Sequence, residues 1–140
     1  MARVVKGRAV VPGAAEGQAL VSRQALSLWG GLDASTGRII DQRHDRAGAV
    51  ITGKIFILPQ GKGSSTASAV LVESVKAGTA PAAIINCSLD PILALGAIVA
   101  EERYGVTVPV IVLAPEDIEA IRDGDHLRIE VDGTVQVRSL

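Results

Sequence analysis

The apolar positions change rhythm part-way along the chain. In the first part they come in short runs between turn residues. Val4-Val5 and Ala9-Val10-Val11 predict one strand, Pro12-Gly13 breaks it, and Gln18-Ala19-Leu20-Val21 predicts a second. Helical spacing is absent there. Trp29 to Gly37 is a polar, glycine-rich connection of the kind that lies at a surface, and Arg38-Ile39-Ile40 returns as a short strand. Beyond Ile55 strand and helix alternate. Ile55 to Leu58 is continuously apolar and suits a strand covered on both faces. Ala67, Val70, Leu71 and Val75 then recur at spacings of three and four, with Gly78 as a stop. Ala83-Ile84-Ile85 is the next strand. Asp90 stands as the cap of a helix opening on Pro91, whose Leu95, Val99, Ala94, Gly96 and Ala100 predict a closely packing face ended by Gly105. Val108 to Leu113 is a third buried strand and Pro115 to Ile121 a short acidic helix. His126 to Val131 and Thr134 to Arg138 form a hairpin turned at Asp132-Gly133.

This order predicts an α/β fold: a partly parallel sheet with a β-α-β-α-β core, antiparallel strands added, and helices to one side. Ligands of such sheets sit beyond the carboxyl ends of the strands. The turn Gly61-Lys62-Gly63-Ser64-Ser65-Thr66 occupies one of these places and Asn86 to Asp90 another, bordering the same cleft. A glycine-rich strand-to-helix turn brings backbone N–H groups and the positive end of a helix to one point, which favours an anion or a hydroxyl losing its proton. Lys62 adds a cation. Ser64 has equally the place of a simple helix cap.

Composition narrows the classes. The 140 residues have the length of one domain, residues 1–140. A net charge of −1, spread without blocks, argues against a nucleic-acid partner, and with one Trp, one Tyr and one Phe the chain lacks stacking platforms. No run from Ala77 to Ala100 is long enough for a membrane span, because Pro81, Asn86, Asp90 and Pro91 interrupt it. The lone Cys87 can form no internal disulfide and cannot by itself hold zinc or an iron–sulfur cluster, so a reducing cytoplasm is the expected compartment.

Other chemistry is weaker. A nucleotide-binding P-loop needs glycine where Phe56 stands and Ser or Thr where Gly63 stands, and is rejected. A serine nucleophile needs a histidine partner, but His44 and His126 sit in charged segments and read as surface residues. Asp90 is explained by its helix cap and Asp33 by the turn ending at Gly37, while Asp41 stands in a loop without a motif. Cys87 reads as a buried apolar residue at a strand end.

Several motifs in order carry a resemblance. Leu28-Trp29-Gly30-Gly31-Leu32-Asp33, Thr36-Gly37-Arg38-Ile39-Ile40, Gly53-Lys54 through Leu58-Pro59, the turn from Gly61 to Thr66, Gly78 to Ile85 and Asp90 to Ala97 resemble the small subunit of aconitase X. The similarity runs from about Lys6 to Val131. It implies a swivelling β/β/α domain, comparable to the mobile domain of aconitases, that closes over a large subunit. In aconitases the first serine of a Gly-Ser-Ser pair is the base, and the resemblance maps that role onto Ser64. The aconitase pattern continues with a substrate-binding arginine where this chain has Thr66. Carboxylate binding then falls to Lys62, Gly63, Ser65 and Thr66. The implied iron–sulfur cluster belongs to the large subunit, with no metal held by this chain.

The resemblance implies a hydro-lyase subunit active with its large subunit. The expected reaction is dehydration of cis-3-hydroxy-L-proline to pyrroline-2-carboxylate, with phosphomevalonate dehydration as the alternative. The form Leu28-Trp29-Gly30-Gly31 and the stretch from Glu101 to Gly105 look more like the bacterial, hydroxyproline-directed group, and Lys62 as the turn's one cation favours a substrate without phosphate. A non-catalytic swivel or anion-binding module is a competing expectation from another class. A stand-alone serine hydrolase ranks last for want of a histidine.

Overall fold

The computed structural model describes residues 2–59 and 66–139. The elements in chain order are β1 (Ala2–Lys6), β2 (Arg8–Val11), β3 (Ala15–Val21), a kinked single turn α1 (Leu28–Gly31), β4 (Leu32–Asp33) and β5 (Arg38–Ile39). There follow β6 (Ile55–Ile57), α2 (Thr66–Ala77), β7 (Ala83–Asn86), α3 (Pro91–Tyr104), β8 (Val110–Val112), α4 (Pro115–Glu119), β9 (His126–Ile129) and β10 (Thr134–Arg138). The fold is mixed α/β. Eight strands form one sheet in the order β1-β10-β9-β3-β6-β7-β8-β2, and β4 and β5 pair apart from it.

The middle of the sheet is parallel, β3 with β6, β6 with β7 and β7 with β8, as crossovers through helices require. Its flanks are antiparallel. Strand alternation sorts the core. Phe56, Ile84 and Val110 face the helices, where they meet Leu71, Val75, Leu93 and Ala97. Ile55, Ile57, Ile85 and Ile111 face the opposite way into a second cluster with Leu127, Ile129, Val135 and Val137. The sheet is therefore curled so that its antiparallel flank covers the inner face of its parallel half.

Gly7 closes that curl, and it corrects the expectation of one strand from Val4 to Val11. The chain forms two strands, β1 on β10 and β2 on β8, which lie at opposite ends of the strand order with Gly7 between them. The chain itself thus joins the two edges into a near-barrel. Gly7 N–H donates to Gly133 O at 2.9 Å. A Cβ on Gly7 would stand 2.6 Å from Ile111 Cγ2 and 2.8 Å from Leu113 Cδ2, so only glycine fits this corner.

The helices follow their signals with one correction. Asp90 caps α3, its carboxylate accepting from Ile92 N–H (3.0 Å) and Leu93 N–H (3.2 Å), and Gly105 ends it in the left-handed conformation at φ 68°. The buried face is Leu93, Ala94, Gly96, Ala97 and Ala100, whereas Leu95 is exposed and Val99 half-buried. The small residues carry the contact, because α2 and α3 approach too closely at Gly96 for a large side chain. No helix among the described residues is long and apolar enough to cross a membrane.

Candidate functional site at the carboxyl edge of the sheet

Because β3, β6, β7 and β8 run in parallel, the residues that follow them converge on one edge. Pairing continues past the strands there. Ser22 N–H donates to Ile57 O (2.7 Å), Leu58 N–H to Ile85 O (3.0 Å) and Leu113 N–H to Asn86 O (2.9 Å). Pro59 O accepts from Cys87 N–H (3.0 Å) and from its thiol (3.3 Å), and Leu58 O accepts from the Asn86 side-chain amide (3.2 Å). The strand ends at Leu58-Pro59 and Asn86-Cys87 thus lie side by side. Cys87 is half-buried rather than buried, since its sulfur lies at the rim of this edge. Asn86 is fully buried, and its Oδ1 has no hydrogen-bond partner among the described residues.

Lys62, Gly63, Ser64 and Ser65 lie outside the described residues. Thr66 opens α2 and is exposed. The strand end before that turn and the helix after it are therefore both on this edge.

A cleft of about 180 Å³ lies here, lined by Ser22, Arg23, Pro59, Cys87, Ile118 and Glu119 among others. Complete small-molecule sites occupy roughly 300–1,000 Å³, and this cleft is smaller. Arg23 and Glu119 are its charged lining residues, and both are exposed.

Ser22, a lining residue of the cleft, belongs to a cluster that sequence spacing does not announce. His44 is buried, at 6% exposure, and not the surface residue its charged neighbours predict. Its Nε2 lies 2.9 Å from Ser22 Oγ and 3.1 Å from Gln24 O, and Asp45 Oδ1 lies 3.0 Å from Ser22 Oγ. A serine, a histidine and an aspartate in contact invite comparison with a hydrolytic triad. The hydrogen bonds oppose it. Arg46 N–H donates to His44 Nδ1 (3.1 Å), which leaves the ring hydrogen on Nε2, pointing at Ser22 Oγ and Gln24 O. Ser22 thus receives a hydrogen from the imidazole and gives its own to Gln24 O (2.7 Å) or Asp45. The cluster is a structural tie between residues 22–24 and 44–46.

Arg46 extends this tie to α4's loop. Its guanidinium donates to Val21 O (3.0 Å) and Asp123 Oδ1 (2.7 Å), and Val21 N–H donates to the same Asp123 oxygen (2.9 Å). Burial pushes the Asp123 carboxyl up, but the Arg46 and Val21 hydrogen bonds outweigh it and hold its pKa below the ordinary value. Arg46 is thereby committed to structure.

The other sequence candidates fall outside the cleft. Asp33 Oδ1 accepts from Ser35 N–H (2.9 Å) and Ser35 Oγ (2.7 Å), and Asp41 Oδ1 accepts from Arg43 N–H (3.0 Å), so both serve turns. His126 pairs with Glu16 across β9 and β3 at the surface. Among the described residues no group of three or more His, Cys, Asp or Glu could hold a metal ion. One thiol with a carbonyl partner does not fit an iron–sulfur cluster, which several ligands hold.

The family model for the aconitase X swivel domain matches residues 4–137. The chain belongs to this family. Among curated relatives, the phosphomevalonate dehydratase small subunit of Methanosarcina acetivorans is 39% identical over 126 residues, covering 89% of this chain and 83% of the relative. The cis-3-hydroxy-L-proline dehydratase of Hypocrea jecorina is 38% identical over 135 residues, which is 96% of this chain but 22% of that protein. The holo-form of Thermococcus kodakaraensis aconitase X superimposes with a TM-score of 0.87 at 36% identity, covering 96% of this chain and 98% of the solved chain. The curled sheet with two covering helices is thus the aconitase X swivel architecture. The swivel-domain match spans the Gly61 to Thr66 turn, and the Ser22–His44–Arg46–Asp123 tie lies at the carboxyl edge of the sheet.

Proposed function

We propose that this chain, acting as one swivelling domain, is the small subunit of a two-chain hydro-lyase that dehydrates cis-3-hydroxy-L-proline to pyrroline-2-carboxylate. The observation that carries this is the aconitase X swivel-domain match across residues 4–137, which includes the glycine-rich turn. Ser64 is the proton acceptor. It takes the proton from the carbon beside the substrate carboxylate, the electron pair left behind forms the new double bond, and the β-hydroxyl departs as hydroxide to be protonated to water. Assistance to that departing oxygen, including any iron–sulfur cluster, belongs to the large subunit, because the described residues of this chain do not fit one. Lys62, Gly63, Ser65 and Thr66 receive the carboxylate at the start of α2, where a helix N-terminus favours negative charge. The small volume of the cleft accords with a second chain adding to its walls. A cytoplasmic setting accords with the single thiol.

Arg23 is the one cation on the cleft's described lining, and a single charge there favours a substrate without phosphate. One observation favours a second reading. The chain matches 83% of a free-standing phosphomevalonate dehydratase small subunit but only 22% of a single-chain hydroxyproline enzyme.

The test is to assemble this chain with its large subunit and assay both substrates. Turnover of cis-3-hydroxy-L-proline supports the first reading and turnover of phosphorylated mevalonate the second. Ser64→Ala is expected to slow the chemical step by about 10²–10⁴-fold in single-turnover measurements. An unchanged chemical step with weakened substrate binding or assembly would leave this chain a non-catalytic closing module.

A further inference from the structure

An apolar groove opens between the α1–β5 segment and the outer face of α2. Trp29, Ile40, Ala69 and Val70 form its floor and walls, with Asp33 and Glu73 as its charged lining residues. Trp29 is 64% exposed and Ile40 43% exposed, although an indole and a branched aliphatic side chain both gain from being covered. The backbone presents the indole deliberately: Trp29 leaves helical geometry at ψ 114°, and Gly30 follows at φ 80°. Ile40 N–H donates to Gly31 O (2.8 Å), which ties the stretch after Trp29 to Ile40 on one side of the groove.

The groove also includes Thr66, the first residue of α2. A body seated there meets the chain at the end of the glycine-rich turn. In the Hypocrea jecorina relative the counterpart of this domain is 22% of one polypeptide, so a much larger remainder of the same molecule is available to cover it. Both charged lining residues are acidic, and Ser35 holds Asp33 below the usual carboxylate range, so the groove offers apolar area edged by negative charge.

We infer that this groove is the docking seat of the large subunit, which inserts an apolar side chain between Trp29 and Val70 and flanks it with Lys or Arg opposite Asp33 and Glu73. The inference rests on the two-chain reading above. Docking beside the α2 N-terminus makes closure of the partner and completion of the site one event. The exposed Leu95 and Ile98 on the outer face of α3 are not part of the seat.

The experiment is titration of the purified large subunit with this chain by calorimetry. Trp29→Ala combined with Ile40→Asp is expected to weaken binding by about 100-fold or more, as loss of central anchors does. Leu95→Asp combined with Ile98→Asp is expected to bind as the natural chain does. Thermal melting establishes that each variant is folded, and Ala69→Glu, at an exposed position on α2, serves if the first variant is not. If the natural chain binds and the groove variants bind equally well, the groove assignment falls while the two-chain reading stands. If the natural chain binds no large subunit, both fall. Self-association of this chain that Ile40→Asp abolishes would show the groove to be a seat for a second copy, and would overturn the inference.

Discussion

Gly96 is the point at which α3 touches α2, and substituting it sets two effects of opposite sign against each other. Alanine is favoured over glycine inside a helix by about 0.8–1.0 kcal/mol, so Gly96→Ala on a free helix would stabilise. Here a Cβ would lie 2.9 Å from Ser68 O and 3.2 Å from both Ser68 Cα and Leu71 Cδ2. The nearest of these is a backbone oxygen, which cannot turn aside, and ordinary contact begins near 3.4 Å, so the helices must separate by about half an ångström. Overpacking of this kind costs about 1–3 kcal/mol, leaving a net destabilisation of about 1 kcal/mol after the propensity gain. For a chain of 140 residues that lowers Tm by about 3–5 °C. Differential scanning calorimetry of Gly96→Ala and Gly96→Val measures it, with the valine variant lower still. Because α2 begins at the glycine-rich turn, the displacement is also expected to reduce kcat by about tenfold in the assembled enzyme. A higher Tm for Gly96→Ala would refute the argument, since propensity would then outweigh the close approach.

Gly7→Val is expected to destabilise by more than the about 1–3 kcal/mol of ordinary overpacking, because two core side chains and the strand closure are displaced together; an unchanged denaturation midpoint in urea would count against the closed sheet. Ser22→Ala is expected to lose about 1–2 kcal/mol of stability, and an active-serine reagent should leave Ser22 unlabelled; labelling there would restore a hydrolytic reading. Asp132 is hydrogen-bonded first by Thr134 N–H, then by the Thr134 hydroxyl and Lys6, and its pKa is lowered from 3.8 to about 2. A depressed carboxyl contributes stability that is present above its unfolded value and lost as pH falls through about 2. Carboxyl carbon NMR should show that midpoint, still depressed in Lys6→Ala because the largest cause is the backbone donor; a midpoint near 3.8 in the natural chain would contradict the turn geometry.

What the sequence by itself determined was local or periodic. Asp90-Pro91 and Gly105 bound α3, Gly78 ends α2 and Asp132-Gly133 turns the last hairpin, because caps and turns are decided by residues within a few positions of one another. The continuous apolar run at Ile55 announced a strand covered on both faces, Ala83-Ile84-Ile85 announced the next strand, and the ordered motifs around Ser64 pointed to the aconitase X family. Tertiary structure alone decided which contacts join distant segments. Nothing near Gly7 says that β1 and β2 go to opposite ends of one sheet, since that depends on Ile111, Leu113 and Gly133. Leu95 leaves the expected packing face while Gly96 stays on it, because the distance between two helix axes, and not hydrophobicity, selects the inward residue. His44 looks solvated among charged neighbours, yet folding buries it because Arg46 N–H satisfies one ring nitrogen locally and Ser22 and Gln24 meet the other from 22 and 20 residues away. A buried polar group is stable only when its partners arrive, and partners separated by that much chain are brought together by the fold.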